Sequence, residues 1–176
     1  WLTSNASSLP TEVARARNRA SGVVEDPRAV GRGADILDGG AGDDTLTTYY
    51  NHGGTRFRGG EGDDRLTGSY RDDTYYYRKG DGRDVIFDSH HYSGSDKLVL
   101  EDLSPDDVTL TREGSSLVIN IPADNGQVKI DGWYSSNYRR IESVSFADGT
   151  RSEERRVGKD VDLGGRRIIK KREESA

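Results

Sequence analysis

The sequence predicts an all-β chain, and two observations carry that reading. Residues 39–47 (GGAGDDTLT) and 59–67 (GGEGDDRLT) are identical at seven of nine positions. Each copy reads as a glycine-rich turn, an Asp and a short strand with one inward apolar residue. Residues 96–150 then hold several runs in which apolar and polar residues alternate, the period of a half-buried strand.

Aligning the sixth position on Asp recovers weaker copies of the nonapeptide. VGRGADILD at 30–38 keeps Asp35 and Leu37, GSYRDDTYY at 68–76 keeps Asp73 and Tyr75, and KGDGRDVIF at 79–87 keeps Asp84 and Ile86. YNHGGTRFR at 50–58 keeps Gly53 and Phe57 but has Thr55 where the Asp belongs. Two-residue inserts, Thr48–Tyr49 and Tyr77–Arg78, interrupt the spacing. The predicted inward residues are Leu37, Leu46, Phe57, Leu66, Tyr75 and Ile86. The turn has a definite chemistry. Glycines permit positive backbone angles and leave carbonyl oxygens uncovered, and the Asp adds a carboxylate. Such an all-oxygen set suits a hard cation, of which calcium takes about six to eight ligands.

A glycine-rich nonapeptide with Asp at its sixth place, repeated in register, resembles the RTX (haemolysin-type calcium-binding) repeat. The resemblance implies a parallel β-roll, in which one copy makes a turn and a strand and two copies make a coil. Strands would stack at roughly 4.8 Å within each of two parallel sheets. Turns of alternate copies would lie above one another. Asp44, Asp64 and Asp84 would then form an unbroken ladder on one side, and Asp35, Thr55 and Asp73 a broken one on the other. The family pattern implies one calcium site from Asp44 and Asp64 with the carbonyls of Gly40, Gly42, Gly59 and Glu61. It implies a second from Asp64 and Asp84 with the carbonyls of Gly60, Gly62, Lys79 and Asp81. The side bearing Thr55 is expected to be weak or empty near that residue.

One apolar side chain per repeat is a thin core. Stacked carboxylates oppose folding as well, since unit charges about 5 Å apart repel by roughly 1 kcal/mol even in water. The repeats therefore read as unfolded without metal and folded with it.

Composition narrows the function classes. The chain has 26 basic and 31 acidic residues, a net charge of −5. The acidic excess is concentrated in residues 30–150, which hold 22 acidic and 13 basic side chains. That balance argues against nucleic acid as a partner. No apolar run approaches the length of a membrane span. There are no cysteines, so disulfides do not staple the fold, and calcium fits that role. No nucleophile-plus-base group or phosphate loop is visible, and no enzymatic activity is expected; any catalytic domain would lie upstream of Trp1, where the chain reads as a fragment.

Four regions are expected. Residues 1–29 read as the remnant of an upstream region, with helical composition over 11–20 and Gly22 as a cap. Residues 30–95 form the β-roll. Residues 96–150 read as strands at 96–103, 107–112, 116–121, 127–133 and 141–149, with a turn at Ser104–Asp107. The landmarks SPDDVTLTR, SLVINI, DGWYSS and SFADGT resemble the haemolysin-type calcium-binding-related domain, which implies a β-rich segment that caps the roll and continues its sheets. A cap covers strand edges that would otherwise stay unpaired. Residues 151–172 resemble translated sequencing-adapter read-through, and 151–176 are expected to be an artefactual, disordered tail.

Other constellations read as structure. His52, His90 and His91 lack Cys partners and HExxH spacing, and are expected as loop histidines rather than a zinc site. Asp43, Asp63 and Asp72 are expected as solvated charge beside the ligands. Tyr75 and Trp133 are expected in the core, although with Tyr76, Tyr77, Tyr134 and Tyr138 they could form a sugar-stacking surface. The resemblance implies the calcium-binding module of a protein secreted by a Gram-negative bacterium, exported through type I machinery and folding outside the cell on calcium. The alternative is a calcium-rigidified module that binds extracellular polysaccharide or a cell surface.

Overall fold

The computed structural model describes residues 13–15, 23–24, 36–48, 54–88, 95–136 and 139–153. Two seven-stranded sheets carry the fold. The first follows the order β1 (Val13–Arg15), β3 (Ile36–Ala41), β5 (Arg56–Glu61), β7 (Thr74–Tyr77), β9 (Lys97–Leu100), β13 (Ser143–Phe146), β14 (Arg151–Glu153). The second runs β2 (Val23–Val24), β4 (Thr45–Thr47), β6 (Arg65–Thr67), β8 (Arg83–Phe87), β12 (Gly126–Ile130), β11 (Ser116–Ile121), β10 (Thr109–Glu113). Odd and even strands alternate between the sheets from β1 to β9, so the chain winds as a parallel roll.

Register follows from the repeat. Leu37 pairs with Phe57, Phe57 with Tyr75, Tyr75 with Leu98 and Leu98 with Val144. On the facing sheet Leu46, Leu66, Ile86 and Ile130 stack in the same way. All six predicted inward residues are buried, and the Phe57 and Tyr75 rings stack at 5.0 Å. In-register parallel pairing puts like residues above like, so one apolar place per repeat yields two continuous apolar columns.

Beyond residue 96 the chain extends the same sheets. Strands β9 and β13 add to the first sheet, and β12 adds in parallel to β8. A Pro105–Asp107 3-10 turn lies between β9 and β10, tied down where Ser104 N–H and Oγ–H both donate to Asp107 Oδ2. Antiparallel β10–β11–β12 then finishes the second sheet, and Trp133 and Ile141 close the core.

Two expectations change. Residues 13–15 are strand rather than helix, paired in parallel with Ile36–Asp38; the rest of 11–20 lies outside the described residues. Local composition there yields to pairing with the open edge of β3. Arg151–Glu153, expected in the disordered tail, form the edge strand β14 against Ser143–Ser145. Residues 154–176, Asp35 and the three histidines lie outside the described residues.

Candidate metal centre

The turns between β3 and β4, β5 and β6, and the entry to β8 stack with a period of 20 residues, and the stack is bound together by Asp side chains. Asp44 N–H donates to Asp64 Oδ1 at 2.7 Å, and Asp64 N–H donates to Asp84 Oδ1 at 3.1 Å. Each carboxylate thus gives one oxygen to the preceding turn. The backbone closes the same rungs, since Arg65 N–H donates to Asp44 O and Val85 N–H to Asp64 O. Asp44, Asp64 and Asp84 are all buried, with exposures of 2–3%. The ladder stops there, because Val128 occupies the next place in register after Asp84.

The second oxygen of Asp64 is the informative atom. Asp64 Oδ2 is buried and accepts no hydrogen bond from any of the described residues. It lies over the α-carbon of Gly59, on the spot that a side chain there would fill. One turn earlier, Asp44 Oδ2 and the Gly59 carbonyl oxygen crowd Gly39 in the same manner, 2.6 and 2.5 Å from where a Cβ would stand. The carbonyls of Gly40, Gly42 and Gly62 point along the stack at Gly60, Gly62 and Gly82, whose φ values of 103°, 140° and 97° are open to glycine. A buried anionic oxygen without a donor, set among glycine carbonyls, fits a hard cation and fits calcium in particular.

The remaining carbonyls in the expected sites have other duties as well. Glu61 O accepts from Gly42 N–H at 2.6 Å, and Asp81 O accepts from Gly62 N–H at 2.9 Å. Each keeps a second lone pair. Lys79 N–H donates to Asp102 Oδ1, and Gly80 N–H to Asp124 Oδ2, so cap carboxylates hold the last turn.

Burial, and then the like charges of the ladder, raise the affinity of these carboxylates for protons. Desolvation lifts Asp64 to about 7, with the charge of Asp44 adding to it. It lifts Asp84 to about 8, with the charge of Asp64 adding. A cation between the turns would oppose both shifts by favouring the charged carboxylates.

Two features escaped the sequence. Asp43 and Asp63 are not merely solvated charge: Asp43 Oδ1 accepts from Asp63 N–H, Asp63 Oδ1 from Arg83 N–H, and Asp72 Oδ1 likewise from Ser95 N–H. They are a second, outer set of rungs. The other side of the roll also continues past Asp73. Thr55 N–H donates to Asp73 Oδ1, Asp73 N–H to Asp96 Oδ1 and Asp96 N–H to Glu142 Oε2. The signal for Asp96 was present, as Gly94, Asp96 and Leu98 hold places four, six and eight of a further copy. Tyr75 and Trp133 are core side chains, 0% and 1% exposed.

Comparison with known families agrees with this geometry. The RTX calcium-binding nonapeptide repeat (4 copies) matches residues 30–48 and 53–86. The haemolysin-type calcium binding protein related domain matches residues 117–151. The chain carries RTX calcium-binding repeats followed by this related domain, and the repeats support a calcium-binding module. No curated protein matches it. Among the described residues, no helix is long and apolar enough to cross a membrane.

Proposed function

We propose that this chain is a calcium-responsive folding module of a protein exported by a Gram-negative bacterium through a type I system, in which Asp44, Asp64 and Asp84 hold the ions between stacked turns. One observation carries the reading: Asp64 is buried between two other carboxylates of its ladder, and its Oδ2 has no donor among the described residues. Such an arrangement is costly without a cation and favourable with one.

Export follows from the concentration difference. Extracellular calcium modules bind at roughly 10⁻⁴–10⁻³ M. Cytosolic calcium lies far below that range, so the carboxylates repel one another and the chain stays threadable. Outside the cell each site adds about 1.4 kcal/mol of stability at tenfold excess of ion over Kd. Because Asp64 faces both neighbours, the sites of this ladder bind cooperatively. The test is calcium-dependent secretion of a fused reporter through a reconstituted type I system: folding in the donor compartment, forced by high internal calcium, should block release.

A calcium-rigidified scaffold for glycan binding is the second reading, but three of the aromatic residues it needs, Tyr75, Tyr77 and Trp133, are buried.

A further inference from the structure

The turn between β11 and β12, residues 122–125, holds the one non-glycine residue with a positive φ among the described residues, Asn125 at 60°. Asparagine adopts this left-handed conformation more readily than most residues. Asn125 is exposed, and the residue after it is Gly126. The pair sets a carboxamide beside a backbone nitrogen that no side chain shields, and these are the two partners of intramolecular imide formation.

The fold holds that nitrogen in place. Gly126 N–H donates to Asp124 Oδ1 at 2.9 Å, and Gly126 is buried at the start of β12. The other oxygen of the same carboxylate, Asp124 Oδ2, accepts from Gly80 N–H at 2.7 Å. Gln127 N–H donates to Gly82 O, so the hairpin is tied twice to the last turn of the roll. It sits hard against that turn, since a Cβ on Gly126 would stand 2.4 Å from Tyr77 Oη. An amide that donates to a carboxylate gives up its proton reluctantly, because losing it would set two negative charges side by side. The seated hairpin therefore withholds the nucleophile, and an open one frees it.

We infer that Asn125–Gly126 is a deamidation site that is closed when the cap hairpin seats on the last turn of the roll. In the open chain Gly126 N loses its proton to a solvent base and attacks Asn125 Cγ. The bond from Cγ to Nδ2 breaks, ammonia leaves with a proton from solvent, and a cyclic imide remains. Water adds to either imide carbonyl and reopens the ring to aspartate or isoaspartate, with no change of oxidation state. Isoaspartate carries the main chain through the former side chain and puts an extra methylene between Asp124 and Gly126. The carboxylate that reaches Gly126 N–H and Gly80 N–H together then loses its span. The modification marks chains that stayed open and hinders their later closure. The inference rests on the calcium-driven folding reading only for what opens the hairpin; the site and its protection belong to the turn.

The test is the rate at which Asn125 becomes aspartate and isoaspartate in the full chain, read by peptide mass spectrometry after incubation at mildly alkaline pH in calcium, in chelator and in urea. With the chain folded in calcium by circular dichroism, the rate there should be at least about tenfold below the rate in urea, since reaction proceeds through the opened turn. Asp124→Ala, folded in calcium, should deamidate several-fold faster than the parent. Gly126→Ala in urea should react more slowly, because its methyl hinders attack on Cγ. Equal rates in calcium and urea, an Asp124→Ala variant no faster than the parent, or a Gly126→Ala variant as fast as the parent in urea would each overturn the inference. If Asp124→Ala does not fold, hydrogen exchange of the parent Gly126 N–H takes its place, and exchange in calcium as fast as in urea overturns the inference. A slow rate in both calcium and chelator, with a fast one in urea, sinks the calcium-driven folding reading and upholds the protected turn. A parent chain that is disordered in calcium and reacts fast throughout overturns both.

Discussion

Asp64 is where residue-level chemistry is most exposed to test. Its Oδ1 holds Asp44 N–H, and its own N–H is held by Asp84, so removing its charge should disturb two turns at once. Asp64→Asn is expected to abolish two bound calcium ions, read by equilibrium dialysis with metal analysis; loss of one or none would break the ladder assignment. Gly59→Ala asks the same question from the backbone side. The new methyl falls on Asp64 Oδ2 and lies 2.8 Å from its Cγ, so the carboxylate must move, and calcium affinity should fall by about tenfold or more. Gly114→Ala is the control. It has φ 59° but open space around it, and should cost roughly 1–2 kcal/mol of stability with calcium affinity unchanged. The metal-facing Asp residues were legible because the family motif marks their place. Asp43, Asp63 and Asp72 were not: an outward side chain reads as solvated in sequence, and only the stacking of turns brings the next N–H within reach.

At the scale of elements, the periodic strands were the readable part. SLVINI became β11 over the same residues, Ser116–Ile121, because alternation and flanking turns agree. The ends were harder. Residues 13–15 have helical composition yet pair with β3, since a parallel edge offers more backbone bonds than a short isolated helix can secure. Strand β14 makes the same point at the other end. Its three residues pair with Ser143–Ser145, and Arg151 donates from its guanidinium to Ser143 Oγ at 3.2 Å. A chain ending at Thr150 should therefore melt below one ending at Glu153, by about 2–4 °C for each kcal/mol lost at this size. Calorimetry in saturating calcium decides it. Equal melting temperatures would mean that β14 adds nothing to the fold and that the domain ends with Thr150, whose carbonyl already accepts Phe146 N–H.

At the scale of the whole molecule, two apolar columns are set against lines of buried carboxylates, and both pH and calcium act on that balance. Burial raises Asp64 to about 7, Asp84 and Asp96 to about 8, and Asp73 to about 6, all above the unfolded value of about 3.9. The metal-free fold thus binds more protons than the unfolded chain. Its stability is fullest below about pH 4 and is lost as pH rises toward the folded values near 8. Calcium needs the deprotonated carboxylates, so its affinity climbs through the same window. Thermal melts of metal-stripped protein between pH 5 and pH 8 should show the melting temperature falling with pH, whereas melts in calcium should converge at high pH on the more stable form. A metal-free melting temperature that rises with pH would contradict the buried-ladder electrostatics. The most direct test of the central claim is circular dichroism of the full chain at pH 8, stripped of metal and then titrated with calcium. The expected result is a largely disordered spectrum that gains β signal cooperatively as calcium is added, with magnesium far less effective because its small, rigid coordination shell suits this carbonyl-rich cradle poorly. A full β spectrum in the stripped chain, unchanged by calcium, would contradict it.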